Sequence, residues 1–447
     1  MSKGQPVYPA CPLLICDVAV PLSEMRAITF GFKQTAAFED YHPNHEQREC
    51  NTPPINFLHS QNLFTFTNAN VTRYHRPAKF FNAGAQPAAI FALKKRILIA
   101  PLNWGLGHAT RCIPLVSALE SMGVEVVLAS DGVALHLLKA EFPHLQAFEL
   151  PSYRIRYDSS NMILNIGKQL PRIIYAVRAE QWATERLVRE HGIAGIISDN
   201  RYGCFTKHTY NIILTHQLYL RVPGAMIGWA ANKFLRSALG KFEEVWAPDV
   251  AGEPNLSGEL SHGETPVHPR VVYIGPLSRI RPYDCETEYD VAVVLSGPEP
   301  QRTYLEQRLL EQAMLLPQKF IFIQGKTHAK EHHYAAENIE VVSYLTSREL
   351  NEILLAGEVL VCRSGYSSIM DLAAMGKKAI LIPTPGQTEQ EYLAGLLAKQ
   401  NIFLVQNQDD IDLETGLEQV SGTTGLPPGG FGTDGFVGTL KRWVENL

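Results

Sequence analysis

From Lys94 onward the chain alternates short apolar runs with helical stretches, and it does so in two successive blocks. No other feature of the sequence constrains the fold as much. A short apolar run without polar alternation predicts a strand buried on both faces, and helices between such strands predict parallel pairing. In the first block, 96–102, 124–129, 193–198, 212–215 and 271–274 read as strands. Between them 110–122 (stopped by Gly123), 132–141 and 171–190 read as helices. Gly275-Pro276 and the polar stretch to Glu288 then break the pattern, which predicts a linker over 276–288. The second block has strands at 290–295, 320–324, 359–362 and 379–382, and helices at 300–316, 347–355, 367–375 and 388–399. The predicted architecture is therefore two tandem α/β domains, over 94–275 and 289–432. The Gly/Pro-rich run 421–435 reads as a loop, and a short helix over 439–445 closes the chain within 433–447.

A length of 447 residues agrees with two cores. The 45% hydrophobic and 19% charged residues are those of a globular protein, and the net charge of -5 is not that of a nucleic-acid binder. No apolar run approaches the ~20 residues that cross a bilayer. The stretch 12–15, followed by Asp17 and Pro21, makes a poor signal peptide. The seven cysteines are scattered, without a C-x-x-C pair, so a reducing cytoplasm is expected. Residues 1–93 lack sustained periodicity and read as a poorly ordered extension. They also fit an upstream stretch translated from a wrongly chosen start, which native peptides from before Lys94 would disprove.

Three strand-to-helix turns carry the chemistry. The first is Asn103-Trp104-Gly105-Leu106-Gly107-His108-Ala109-Thr110-Arg111. Glycines at such a turn let backbone approach a ligand, and the helix N-terminus attracts negative charge. Thr110 stands where a dinucleotide fingerprint has its third glycine, and the next strand ends in Ala129-Ser130 without a ribose-binding acid. A nicotinamide enzyme is therefore disfavoured. His108 sits at the sheet edge where ligands bind; the structural alternative is a histidine packing at a helix start. The second turn is Arg363-Ser364-Gly365-Tyr366, leading into a helix that carries Asp371. Its N–H groups and hydroxyls suit a diphosphate, and Asp371 suits ribose hydroxyls, unless it is only an exposed acid near a helix start. The third is 383–392, where Gln390 and Glu391 could bind sugar hydroxyls or form an ordinary polar first turn with Thr388 as cap.

The run from Val361 to Tyr392 closely resembles the donor-binding region of family 28 glycosyltransferases. The resemblance implies a GT-B fold, with two Rossmann-like parallel-sheet domains facing across a cleft. It also implies inverting transfer of a hexose from a UDP-sugar to a hydroxyl acceptor. Arg363, Ser364, Gly365, Asp371 and Gln390 fit the family pattern, while Glu391 replaces its second glutamine. By resemblance Asp371 would hold the ribose, and Gln390 and Glu391 the hexose. Tyr366, Gly105 and Gly107 join the expected donor site, and so does Arg302 in the loop 296–302, which departs from the family's Gly-Gly-Ser form. The histidine of the family's first loop lies beside the reaction centre, so His108 is the first candidate for general base and Asp199 the second. The loop 198–203 that carries Asp199 has no counterpart to carry over.

The expected co-substrate is the UDP-sugar, with no cofactor and no metal. Asp410-Ile411-Asp412 mimics a metal-binding D-x-D but reads more simply as a helix cap, and His328, His332 and His333 read as solvated. The acceptor is undetermined, and a lipid-linked or cell-envelope glycan is one class. The segment 218–241 mixes Leu, Ile, Trp and Phe with Arg221, Lys233, Arg236 and Lys241. It reads either as a peripheral contact with the inner face of the cell membrane or as an amphipathic core helix. Two other functions share the fold: a UDP-sugar 2-epimerase, and a non-catalytic protein that binds sugar nucleotides.

Overall fold

The computed structural model describes residues 94–153, 162–221, 224–326, 330–432 and 434–447, so the expectations for 1–93 and His328 lie outside the described residues. The first block forms β1 (Arg96–Pro101), α1 (Gly107–Ser121), β2 (Glu125–Ser130), α2 (Gly132–Glu141), β3 (Gln146–Glu149) and α3 (Met162–His191). It continues through β4 (Ile193–Asp199), β5 (Tyr210–Leu214), α4 (Ala225–Leu239), β6 (Glu244–Ala247) and β7 (Val271–Tyr273). These strands make one parallel sheet in the order β3-β2-β1-β4-β5-β6-β7. Successive residues of β1 point to opposite faces, as a pleated strand requires. Ile97 and Ile99 enter the layer containing α1, while Leu98 and Ala100 pack with Leu187 and Val188 of α3. That two-sided burial explains why the strands read as continuous apolar runs.

The second block forms β8 (Tyr289–Val294), α5 (Gln301–Ala313), β9 (Phe320–Ile323), β10 (His332–Ala336), β11 (Ile339–Val342) and α6 (Ser347–Ala356). After it come β12 (Gly357–Cys362), α7 (Tyr366–Met375), β13 (Lys378–Leu381), α8 (Thr388–Lys399), β14 (Leu404–Val405) and α9 (Leu413–Val420). Their sheet order is β10-β11-β9-β8-β12-β13-β14. It is parallel except for β10, which pairs antiparallel with β11 at one edge. The closing helix α10 (Gly435–Asn446) is longer than the sequence predicts. It returns to the first block, where Trp443 meets Trp246 of β6 edge-on at 5.8 Å and Lys95 Nζ donates to the Val444 carbonyl at 2.6 Å.

Both sheets reverse strand order at one point, between β1 and β4 in the first and between β8 and β12 in the second. Ligands of open parallel sheets bind beyond the strand ends at such switch points. Of the three turns singled out from sequence, 103–111 and 363–366 follow β1 and β12, two of the four strands at these reversals, and 383–392 follows β13 beside β12.

Candidate active site

The turn after β1 is built by two glycines for different reasons. Gly105 has φ +69°, a left-handed conformation that a side chain resists. Gly107 begins α1 where α7 comes close: a Cβ there would lie 2.9 Å from Ser367 Oγ, and that hydroxyl donates to the Gly107 carbonyl at 2.9 Å. Gly107 therefore permits contact between the two domains.

His108 follows on α1, and Asp199 ends β4. Their side chains meet, with His108 Nδ1 2.9 Å from Asp199 Oδ1. Arg111, one turn along α1, donates from Nε to Asp199 Oδ2 at 2.5 Å and from Nη2 to Oδ1. Asp199 is fully buried. Burial alone would raise its pKa, but the Arg111 and His108 charges and their hydrogen bonds hold it down at about 2. A carboxylate of that acidity cannot take a proton at neutral pH, which corrects the expectation of Asp199 as an alternative base. Its place is behind the imidazole. Arg111 Nη2 also comes within 2.9 Å of His108 Nδ1 and can only donate, but it is the nitrogen already bonded to Asp199 Oδ1. With that N–H given to the carboxylate, the imidazole donates its own Nδ1–H to Asp199, and Nε2 is left to accept a proton. Burial lowers the His108 pKa, with Asp199 opposing and Arg111 adding to the shift.

On the other side of the cleft the predicted donor residues divide. Gly365 caps α7 without a side-chain hydrogen bond, so the first N–H groups of that helix gain no partner from their cap. Arg363 points away from the turn. It is buried and donates to the carbonyls of Ile382, Pro383 and Gln301 and to Gln408 Oε1, at 2.5–3.2 Å. Burial without a facing carboxylate drops its pKa to about 10. Arg302 is likewise buried, held by Glu299 and Glu306. Both guanidinium groups are turned into their own domain, Arg302 onto two acids and Arg363 onto carbonyls and Gln408, with the Arg363 Nε left buried and without a partner among the described residues.

Ser364 donates to the Gln390 carbonyl at 2.8 Å. Gln390 accepts from Thr384 N at 2.8 Å and donates to Gln387 at 2.6 Å, and Glu391 accepts from Gly386 N at 2.8 Å. These three residues shape the loop before α8 through these bonds. Tyr366 is buried and donates to the Pro248 carbonyl at 2.9 Å, which places it against the first domain. Asp371 is not the exposed acid of the structural alternative. Burial raises its pKa against the pull of Arg279, and Ser278 of the linker donates to it at 2.5 Å.

Sequence reasoning missed Arg111, His216, Gln217 and Glu389. Arg111 was findable from its i+3 spacing to His108, which puts both on one helix face. His216, Gln217 and Glu389 meet only through the closure of the two domains. Asp412 caps α9, accepting from Thr415 N at 3.0 Å, and His332 of the edge strand pairs with Glu340 at 2.9 Å.

Residues 292–422 match the glycosyltransferase family 28 C-terminal domain. The UDP-N-acetylglucosamine--N-acetylmuramyl-(pentapeptide) pyrophosphoryl-undecaprenol N-acetylglucosamine transferase of Methylobacterium radiotolerans is 25% identical over 313 residues, 64% of this chain and 77% of that protein. The enzyme of the same description from Caldanaerobacter subterraneus is 31% identical over 93 residues, 20% of this chain and 25% of its own length. In fold, the glycotransferase of kitacinnamycin superposes with a TM-score of 0.51 at 14% identity, covering 79% of this chain and 95% of that one. That likeness shows a shared GT-B architecture.

Proposed function

We propose, from the premise that the chain is a family 28 glycosyltransferase of GT-B fold, that it moves a hexose from a UDP-sugar to a hydroxyl acceptor, with inversion and without a metal ion. The observation that carries the reading is the approach of α1 to α7. The Ser367 hydroxyl donates to the Gly107 carbonyl, so the His108–Asp199 pair lies one residue from the point where the α7 N-terminus arrives. The acceptor O–H gives its proton to His108 Nε2 as its oxygen attacks the anomeric carbon. The bond to the diphosphate breaks on the opposite face, and its electrons leave with the diphosphate. Asp199 stabilises the imidazolium, and the α7 N-terminus meets the growing negative charge. With Arg363 and Arg302 turned inward, backbone N–H groups rather than side-chain cations carry that electrostatic load.

UDP as the nucleotide is supported by the names of the relatives. The experiment is a thermal-shift screen of the full chain with UDP, GDP, dTDP and their common sugars, with and without a chelator. UDP at about 100 times its Kd should stabilise by ~2.7 kcal/mol, with or without chelator. Asp371→Asn, which keeps an acceptor for Ser278, should weaken that response. No response to any nucleotide, or one abolished by the chelator, would overturn the respective part of the reading.

The same relatives use a lipid-linked acceptor, and the surface of α4 agrees with such a substrate. Met226, Ile227 and Trp229 are 84%, 50% and 66% exposed, and Lys233 lies 5.0 Å from the Trp229 ring. Leu235, Ala238 and Leu239 of α4 enter the core and Ala231 packs against them, while Met226, Ile227 and Trp229 in its first turns stay exposed and are not the core helix that was the alternative expectation. We place an anionic membrane against these exposed turns. No helix among the described residues is long and apolar enough to cross one. Liposomes containing anionic lipid should sediment the protein at low salt, and Trp229→Ser should abolish the effect. Retention by that variant would move the contact elsewhere.

A further inference from the structure

The contact between Glu389 and His216 is used by nothing in the mechanism above, yet both oxygens of this carboxylate are bonded across the cleft. His216 follows β5 in the first domain; Glu389 lies in the first turn of α8 in the second. Arg111 Nη1 lies 3.1 Å from His216 Nδ1 and can only donate. His216 Nδ1 is therefore the acceptor, its proton is on Nε2, and that N–H donates to Glu389 Oε1 at 2.9 Å. The side-chain amide of Gln217 donates to the other carboxylate oxygen. The ring of His216 is also stacked on Tyr366 of α7, centroids 4.1 Å apart and planes 7° from parallel. The donor domain thus holds this imidazole both by its edge and by its face.

We propose that His216 and Glu389 are positioning residues that set the catalytic pair from across the cleft. Glu389 fixes His216, His216 fixes Arg111, and Arg111 fixes Asp199 against His108, so the base is aligned only when the domains are closed. The proposal rests on the reading of His108 as the proton acceptor. An opened cleft removes the hydrogen bond and the stack together, leaving the His216 ring free to turn away from Arg111, whose guanidinium then loses its fixed pose against Asp199. Proton transfer would then await closure, when water is excluded from the donor. The charged and titratable groups that face His108 fit this chain: Arg111 on its own helix, Asp199 from β4, His216 after β5 and Glu389 from α8. Burial alone would raise the Glu389 pKa, but His216, His108 and Arg111 together hold it below the usual carboxylate range.

The test uses the full chain with labelled histidines and follows the His108 ring by NMR, so it needs no substrate. His216→Phe keeps the stack on Tyr366 and loses both hydrogen bonds. His216→Gln loses the ring but offers an amide oxygen to Arg111 and an amide nitrogen to Glu389. His216→Phe should mix the His108 tautomers, His216→Gln should largely restore the Nδ1–H form, and Glu389→Gln should lower the His108 pKa by removing a nearby negative charge. Glu389 is partly exposed, so its variant also serves if a His216 variant fails to fold. With the donor found in the nucleotide screen, His216→Phe should lose about 10²-fold in kcat with KM little changed. A benign His216→Phe beside a damaging His216→Gln would show that only the stack matters and overturn the proposal, as would a His108 ring indifferent to all three. Spectra as expected with no response to UDP would instead sink the functional reading and leave the relay standing.

Discussion

His108→Ala should cut turnover by a factor of ~10²–10⁴ and leave affinity for the nucleotide nearly intact. The size follows from the role: a positioned base removes a proton in the transition state, and water must replace it in the variant. The selectivity follows from placement, since His108 stands on α1 of the first domain and the diphosphate is read onto α7 of the second. The pH profile gives a second signature. Burial holds the His108 pKa below its ordinary 6.5, so the ring is neutral and able to accept at neutral pH. As pH falls through that lowered pKa the ring is protonated and kcat declines. The acidic limb therefore lies below pH 6.5 in the native enzyme and should vanish in His108→Ala. Isothermal titration with UDP and a kcat–pH series separate the two effects. Turnover equal to that of the native protein would remove His108 from the reaction.

The backbone of this site was legible in the sequence because strand ends are. Burial on both faces makes β1, β4, β8 and β12 near-continuous apolar runs, and the residue that leaves each run must stand at the sheet edge. His108, Asp199 and Gly365 were found that way. The strand His332–Ala336 was not found, since an exposed edge strand of polar residues shows neither an apolar run nor alternation. Side-chain direction was legible only in part. Arg363 and Arg302 have the residue type for a diphosphate but turn into the fold, where carbonyls, Gln408 and two acids of their own domain take most of their donors. Glu389 failed in the opposite sense. It reads as one more acid in a helical first turn, where the dipole alone would explain it, and its partners come from the turn after β5, more than 170 positions away.

The largest effect on stability is expected at Arg201, two positions beyond Asp199. Its side chain is fully buried and pairs with Glu180 of α3 and, at 2.6 Å, with Asp131 ahead of α2; it also donates to the Pro151 carbonyl at 2.9 Å. Glu180 in turn accepts from the Tyr153 hydroxyl at 2.5 Å and from Gly203 N at 2.9 Å. Arg201→Met would strand two carboxylates in the interior, and breaking a buried network from one side costs about 3–5 kcal/mol. The exposed pair Arg221–Glu259 should by contrast be worth no more than ~1 kcal/mol. The loss should reach the catalytic loop as well, since Asp131 also accepts from Asn103 at 3.1 Å, in the turn that leads to His108. Adding Glu180→Met to Arg201→Met removes one of the stranded charges, so the double variant should cost less than the sum of the single ones. Urea unfolding of the four proteins measures the coupling directly. A loss below ~1 kcal/mol for Arg201→Met would mean that water reaches the network and that the site is not braced from behind.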